Sequence, residues 1–155
     1  MNAHTRSTRE CTFGEMRPEL VAAIRKHFET YKLGEVGSSL LICCETTSTC
    51  PKTGLFANGR ETVVTGMFVT SQLLVWTGRK ENGKPVVTSA LLRNIEAHDF
   101  ENTAMYRVKP DSGINISGRY TDVTKQGLTF MGLGPDPAGE KFRQVLQHAI
   151  QKVQS

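Results

Sequence analysis

Leu20, Ile24, Phe28 and Tyr31 recur at steps of four, four and three, which places them on one face of a helix. Pro18 suits the first turn of that helix, where its missing N–H costs nothing, and Gly34 suits a left-handed stop just past the end. The pattern predicts a helix over about 17–33. After Gly34 the period shortens. Residues 36–45 form an apolar run that reads as a strand, and 46–59 carry the Ser, Thr, Pro, Asn and Gly of a long loop. Residues 61–70 and 72–77 are rich in strand formers and are separated by one short turn, so they read as a hairpin. Asn82-Gly83 is a second turn signal, because both residues tolerate positive φ, and 86–92 follows as the partner strand. A strand is expected around Met105–Val108. Another covers 113–120, where Ile114, Ile116 and Tyr120 share a face, and Gln126-Gly127 turns the chain into a last strand over 128–133. Asp136 can cap a closing helix that Pro137 opens. Phe142, Val145, Leu146, Ala149, Ile150 and Val153 then make one wide apolar stripe over 137–153.

One helix, about seven short strands in hairpins and one closing helix make an α+β chain that is mostly antiparallel β. Seven such strands must hide their edges, either as two bent sheets or as a partly open barrel with the last helix against one end. Residues 1–16 are polar and without period, which predicts a flexible tail. Residues 17–155 then form a single domain, with the barrel over about 36–134. At 155 residues, 38% hydrophobic and 22% charged, the composition is that of an ordinary globular chain. Its longest apolar run falls well short of the ~18–20 residues of a membrane span, and the first ten residues lack the apolar core of a secretory signal. A cytoplasmic protein with no transmembrane segment is expected.

The formal net charge is +4, and its distribution says more than its size. The window 52–84 holds Lys52, Arg60, Arg79, Lys80 and Lys84 against only Glu61 and Glu81, so it carries +3 of the total. Solvated cations that guard a sheet edge would give the same count.

The order of elements resembles the pleckstrin-homology-like superfold, including the GRAM and bacterial PH-like families. Thr65–Trp76 is similar to that family's paired second and third strands. Ser89–Glu96 resembles the stretch where an apolar strand end leads into an Ile. Gly113–Ile116 and Leu128–Leu133 resemble the last two strands before the closing helix. The resemblance covers about 36–153 and implies a seven-stranded, partly open barrel capped by a C-terminal helix. The helix at 17–33 is then an extra N-terminal element. It further implies a non-enzymatic module that binds proteins, peptides or phosphoinositides without a cofactor. Where such modules hold phosphate, cations in the first and third inter-strand loops do so. Here those loops are 46–60 and 79–85, which nominates Lys52, Arg60, Arg79, Lys80 and Lys84 as ligand-binding residues. Thr62 stands where the family's phosphate pattern places a second cation after Arg60.

Other chemistry finds little support. Cys11, Cys43, Cys44 and Cys50 lack the paired hooks of a zinc site, and adjacent Cys43 and Cys44 point to opposite faces of a strand. Reduced thiols, with Cys43 or Cys44 as a small core residue, are expected, and no metal. A nucleophile pair made from Cys44 or Cys50 with His98 has no supporting spacing. Gly134–Lys141 looks like a frayed phosphate loop, but Glu140 stands where its Lys belongs, and helix capping explains the segment better. Asn115-Ile-Ser117 fits a glycosylation sequon and reads as plain strand sequence. Phe56, Phe68 and Trp76 lie near the basic window, but Phe68 and Trp76 fall in core strands, which makes nucleic-acid binding the weaker alternative. The leading expectation is protein interaction or self-association. Binding of an anionic lipid surface or phosphate ligand is the alternative.

Overall fold

The computed structural model describes residues 5–51, 59–79, 83–122 and 126–155. Eight strands and three helices follow in the order β1 (Thr5–Glu10), α1 (Pro18–Tyr31), β2 (Leu40–Pro51), β3 (Arg60–Thr70), β4 (Leu73–Arg79), β5 (Pro85–Leu91), β6 (Ile95–Asp99), α2 (Met105–Val108), β7 (Gly113–Arg119), β8 (Gln126–Gly132) and α3 (Pro137–Gln154). The fold is α+β with two antiparallel sheets, β1-β2-β3-β4-β5 and β6-β7-β8. Neither sheet closes on itself. None of the described helices is long and apolar enough to cross a membrane.

The middle of the five-stranded sheet is buried on both faces, which is why 40–44, 67–69 and 73–76 read as unbroken apolar runs. One face packs on α1, where Leu20, Ile24 and Phe28 meet Cys43, Phe68 and Val75. The other face holds Cys44, Met67 and Trp76, which share one core with Ile114 and Ile116 of β7 and with Phe142 and Leu146 of α3. Cys43 and Cys44 therefore do point to opposite faces, as strand alternation requires. Helix α3 bridges the sheets. It touches β1 and β2 on one side and β6 on the other, where Gln147 Nε2 donates to the Ala97 carbonyl at 2.6 Å. Asp136 caps α3 as expected, its Oδ1 accepting from Gly139 N at 3.0 Å. A Cβ on Gly139 would lie 2.1 Å from the Gly134 carbonyl, so the segment that mimics a phosphate loop is instead a tight strand-to-helix junction.

Five expectations are corrected. Within the 1–16 segment read as a flexible tail, Thr5–Glu10 is an edge strand, so eight strands form rather than seven. It is polar because its anchors are polar: Thr8 Oγ1 meets Thr46 Oγ1 at 2.7 Å, and the Arg6 guanidinium grips Asp111. The 46–59 loop is in fact strand as far as Pro51, and residues 52–58 lie outside the described residues. Met105–Val108 is a short helix rather than a strand, with Met105 and Val108 exposed. Gln126-Gly127 is not a turn but the start of β8, where Gly127 pairs with Gly118. On α1, the stripe buries His27 where Tyr31 was expected, and Tyr31 is 40% exposed.

Candidate functional site

An antiparallel meander returns alternate turns to the same end. The β2–β3 connection and the β4–β5 connection therefore lie at one end of the five-stranded sheet. Arg60 opens β3 opposite Pro51, and Arg79 ends β4 opposite Pro85, with Lys84 just before β5. Direct pairing of β3 with β4 covers only Met67–Val69 against Leu74–Trp76. At Gly66 the ladder gives way, and Gly66 N donates to Thr77 Oγ1 at 2.8 Å. Beyond that point the two hairpins part. The chain entering α1 lies over the gap, with the end of the Met16 side chain packed against Gly66, where a Cβ would meet Met16 Sδ at 2.8 Å. The result is a cleft of about 230 Å³ lined by Arg17, Glu19, Leu20, Thr62–Val64, Gly78, Gly83 and Pro85.

Of the five cations singled out in the sequence, Arg60, Arg79 and Lys84 are brought to this end of the sheet. Lys52 and Lys80 lie outside the described residues. Arg60 is exposed and donates to the Thr49 carbonyl at 3.0 Å. Arg17 lies on the cleft wall near them, while the cleft lining itself includes none of the three. Sequence spacing gives no sign of Arg17, because only the docking of α1 brings it there. Glu19 on the wall and Glu61 beside Arg60 temper the positive charge. Thr62 lines the cleft as well.

A polar cluster beneath α1 also looks chemical. His27 Nε2 lies 2.8 Å from Ser89 Oγ, and Ser89 Oγ donates to Thr121 Oγ1 at 2.8 Å. With the serine proton spent on Thr121, His27 donates to Ser89 rather than accepting from it, the reverse of what a general base requires. Ser89 is also fully buried. Burial pushes the His27 pKa down, with Asp122 acting in the opposite sense, so His27 is held neutral where it ties α1 to β5.

The four thiols are free. Burial pushes Cys44 up to about 12 and pushes Cys43 and Cys11 up as well. Cys44 is fully buried, whereas His98 is exposed beside Glu96 at 3.3 Å, so the fold does not assemble that pair. Among the described residues no three His, Cys, Asp or Glu side chains gather as a metal ion would require.

Sequence reasoning also missed two buried guanidinium clusters. Arg6 is bidentate to Asp111, and Arg143 contacts Asp99 at 2.9 Å, Glu101 at 2.8 Å and Ser112 Oγ at 3.3 Å. Both are satisfied within the protein and pin strands and helix together. No protein-family model matches the chain, and no curated protein matches it.

Proposed function

We propose that this protein is a non-enzymatic binding module of PH-like type that takes a phosphate-bearing, anionic surface at the parted hairpin end of its five-stranded sheet. One observation carries the reading: the meander brings Arg60, Arg79 and Lys84 to the same end, beside a cleft walled by Arg17. Cations gathered at one end raise a local potential that a net charge of +4 understates. Arginine also grips phosphate through two N–H groups at once.

The PH-like part of the reading draws support from two seams between the sheets. Thr121 N donates to the Ser89 carbonyl at 2.8 Å on one side. Gly134 N donates to Thr8 Oγ1 at 2.8 Å on the other. The packing of helix α3 between β2 and β6 supports reading it as a closing helix.

The test is co-sedimentation with phosphatidylserine-containing vesicles and with neutral phosphatidylcholine vesicles. Each cation near such a surface contributes about 1 kcal/mol, so changing Arg60, Arg79 and Lys80 to Ser should weaken binding roughly a hundredfold at low salt. Wild-type binding should fade as salt is added. Equal binding by wild type and variant, or none by either at low salt, overturns the reading.

Protein interaction is the second reading, and a separate feature favours it. Helix α2 holds Met105 at 56% and Val108 at 81% exposure, beside the exposed Tyr106. Vesicle binding that survives charging Met105 and Val108, set against a self-association that does not, separates the two surfaces.

A further inference from the structure

Cys11 follows the last residue of β1, one step beyond the Glu10–Cys44 pair, so it stands opposite Cys43 of β2. The ladder continues to that step, because Cys11 N donates to the Cys43 carbonyl at 2.9 Å. Directly opposed residues on antiparallel strands share a sheet face, and both cysteines belong to the apolar cluster under α1. Their side chains therefore lie side by side beneath α1. A hydrogen-bonded antiparallel pair holds its Cα atoms about 5.5 Å apart, inside the roughly 4.4–6.8 Å span of disulfides. The two differ in access. Cys43 is 2% exposed, whereas Cys11 is half-buried at the rim of the cluster.

We propose that Cys11 and Cys43 are a reversible cross-strand redox pair that closes to a disulfide under a small-molecule disulfide oxidant such as glutathione disulfide. Cys11 is the entry point. Its sulfur, as thiolate, attacks one sulfur of the oxidant. The oxidant's S–S bond breaks, and one glutathione leaves as thiolate and takes up the proton that Cys11 released. Cys43 then attacks the Cys11 sulfur across the strand pair and expels the second glutathione, which takes the Cys43 proton. Two protein thiols are oxidised by two electrons, and one glutathione disulfide is reduced to two glutathiones. Burial of the Cys11 thiol slows the first step, and the nearby Arg9 charge works the other way by favouring the thiolate. Closure would tie the β1–α1 connection to β2 beside Glu45, whose carboxylate already holds the Arg9 side chain and the Arg17 amide. The register also excludes the neighbouring thiol: Cys44 belongs to the core on the opposite sheet face.

The test is equilibration of the folded, full-length protein in buffers of rising glutathione disulfide to glutathione ratio. Acid quenching, alkylation and mass spectrometry of unreduced peptides follow. The expected product links the Cys11 peptide to the Cys43 peptide with loss of two hydrogens, and it disappears on return to reduced glutathione. Linkage should persist in a Cys44→Ala, Cys50→Ala variant and vanish in Cys43→Ala. Fragment ions of the wild-type linked peptide identify the bonded cysteine without relying on any variant's folding. A Cys11–glutathione adduct that never resolves, a bond from Cys11 to Cys44 or Cys50, or no oxidation of Cys11 at any ratio overturns the proposal.

Discussion

Arg6 and Asp111, 105 residues apart, are joined by two parallel hydrogen bonds of 2.8 Å each. Both side chains are only 12% exposed, and the guanidinium also lies 5.2 Å over the Phe130 ring. This pair fastens the edge strand β1 to the chain leading into β7. Removing one partner of a buried pair strands the other, so Arg6→Ala should cost about 2–4 kcal/mol. Urea denaturation checks this. A midpoint equal to wild type would mean that β1 adds nothing to the folded state.

Phe142 is fully buried where α3 meets both sheets. Phe142→Ala should cost about 3–5 kcal/mol through lost burial and the cavity left behind. The exposed Gln151 is the control, and Gln151→Ala should stay within about 0.5 kcal/mol of wild type. Gln147 is unsuitable for that purpose, because it caps the Ala97 carbonyl. Thermal unfolding of the two variants decides the matter, and similar melting points would refute it.

Asp136 serves two elements at once. Oδ1 caps α3 at Gly139, and Oδ2 accepts from Thr8 N of β1 at 2.8 Å. Asp136→Ala should destabilise by about 1–2 kcal/mol. It should also speed hydrogen exchange at the Thr8 amide more than at amides in the centre of β3. Unchanged exchange at Thr8 would show that the β1 contact is dispensable.

His27 gives a pH dependence with a definite sign. Burial lowers its folded-state pKa, so below the unfolded value of about 6.5 the unfolded chain binds the proton first. The contribution is present in full above that pH and is lost as pH falls toward the lowered folded value. Denaturation midpoints should therefore drop between pH 7.5 and 5.5 by more in wild type than in His27→Gln. Identical drops would place the pH dependence elsewhere.

Both long helices and the central hairpins are legible in the sequence, because each buries an apolar face whose period is its own signature. The stripe from Phe142 to Ile150 and the turn after Thr70 need no tertiary knowledge. Cys43 and Cys44 are also placed on opposite faces by strand alternation alone. Strand β1 is not legible. Thr5–Glu10 has one buried side chain, Thr8, and its stabilising partners are polar and charged groups up to 131 residues away. Helix α2 is also hidden, since Met105 to Val108 has strand-like composition and no buried residue to set a period. The basic window is visible as a run of charge. Its shape depends on the meander, which turns a stretch of sequence into one end of a sheet, and on the docking of α1, which brings Arg17 onto the cleft wall. Periodicity reports which face of a segment is buried. It is silent on which distant segment does the burying, and the polar latches, the thiol pair and the cleft all depend on that second choice.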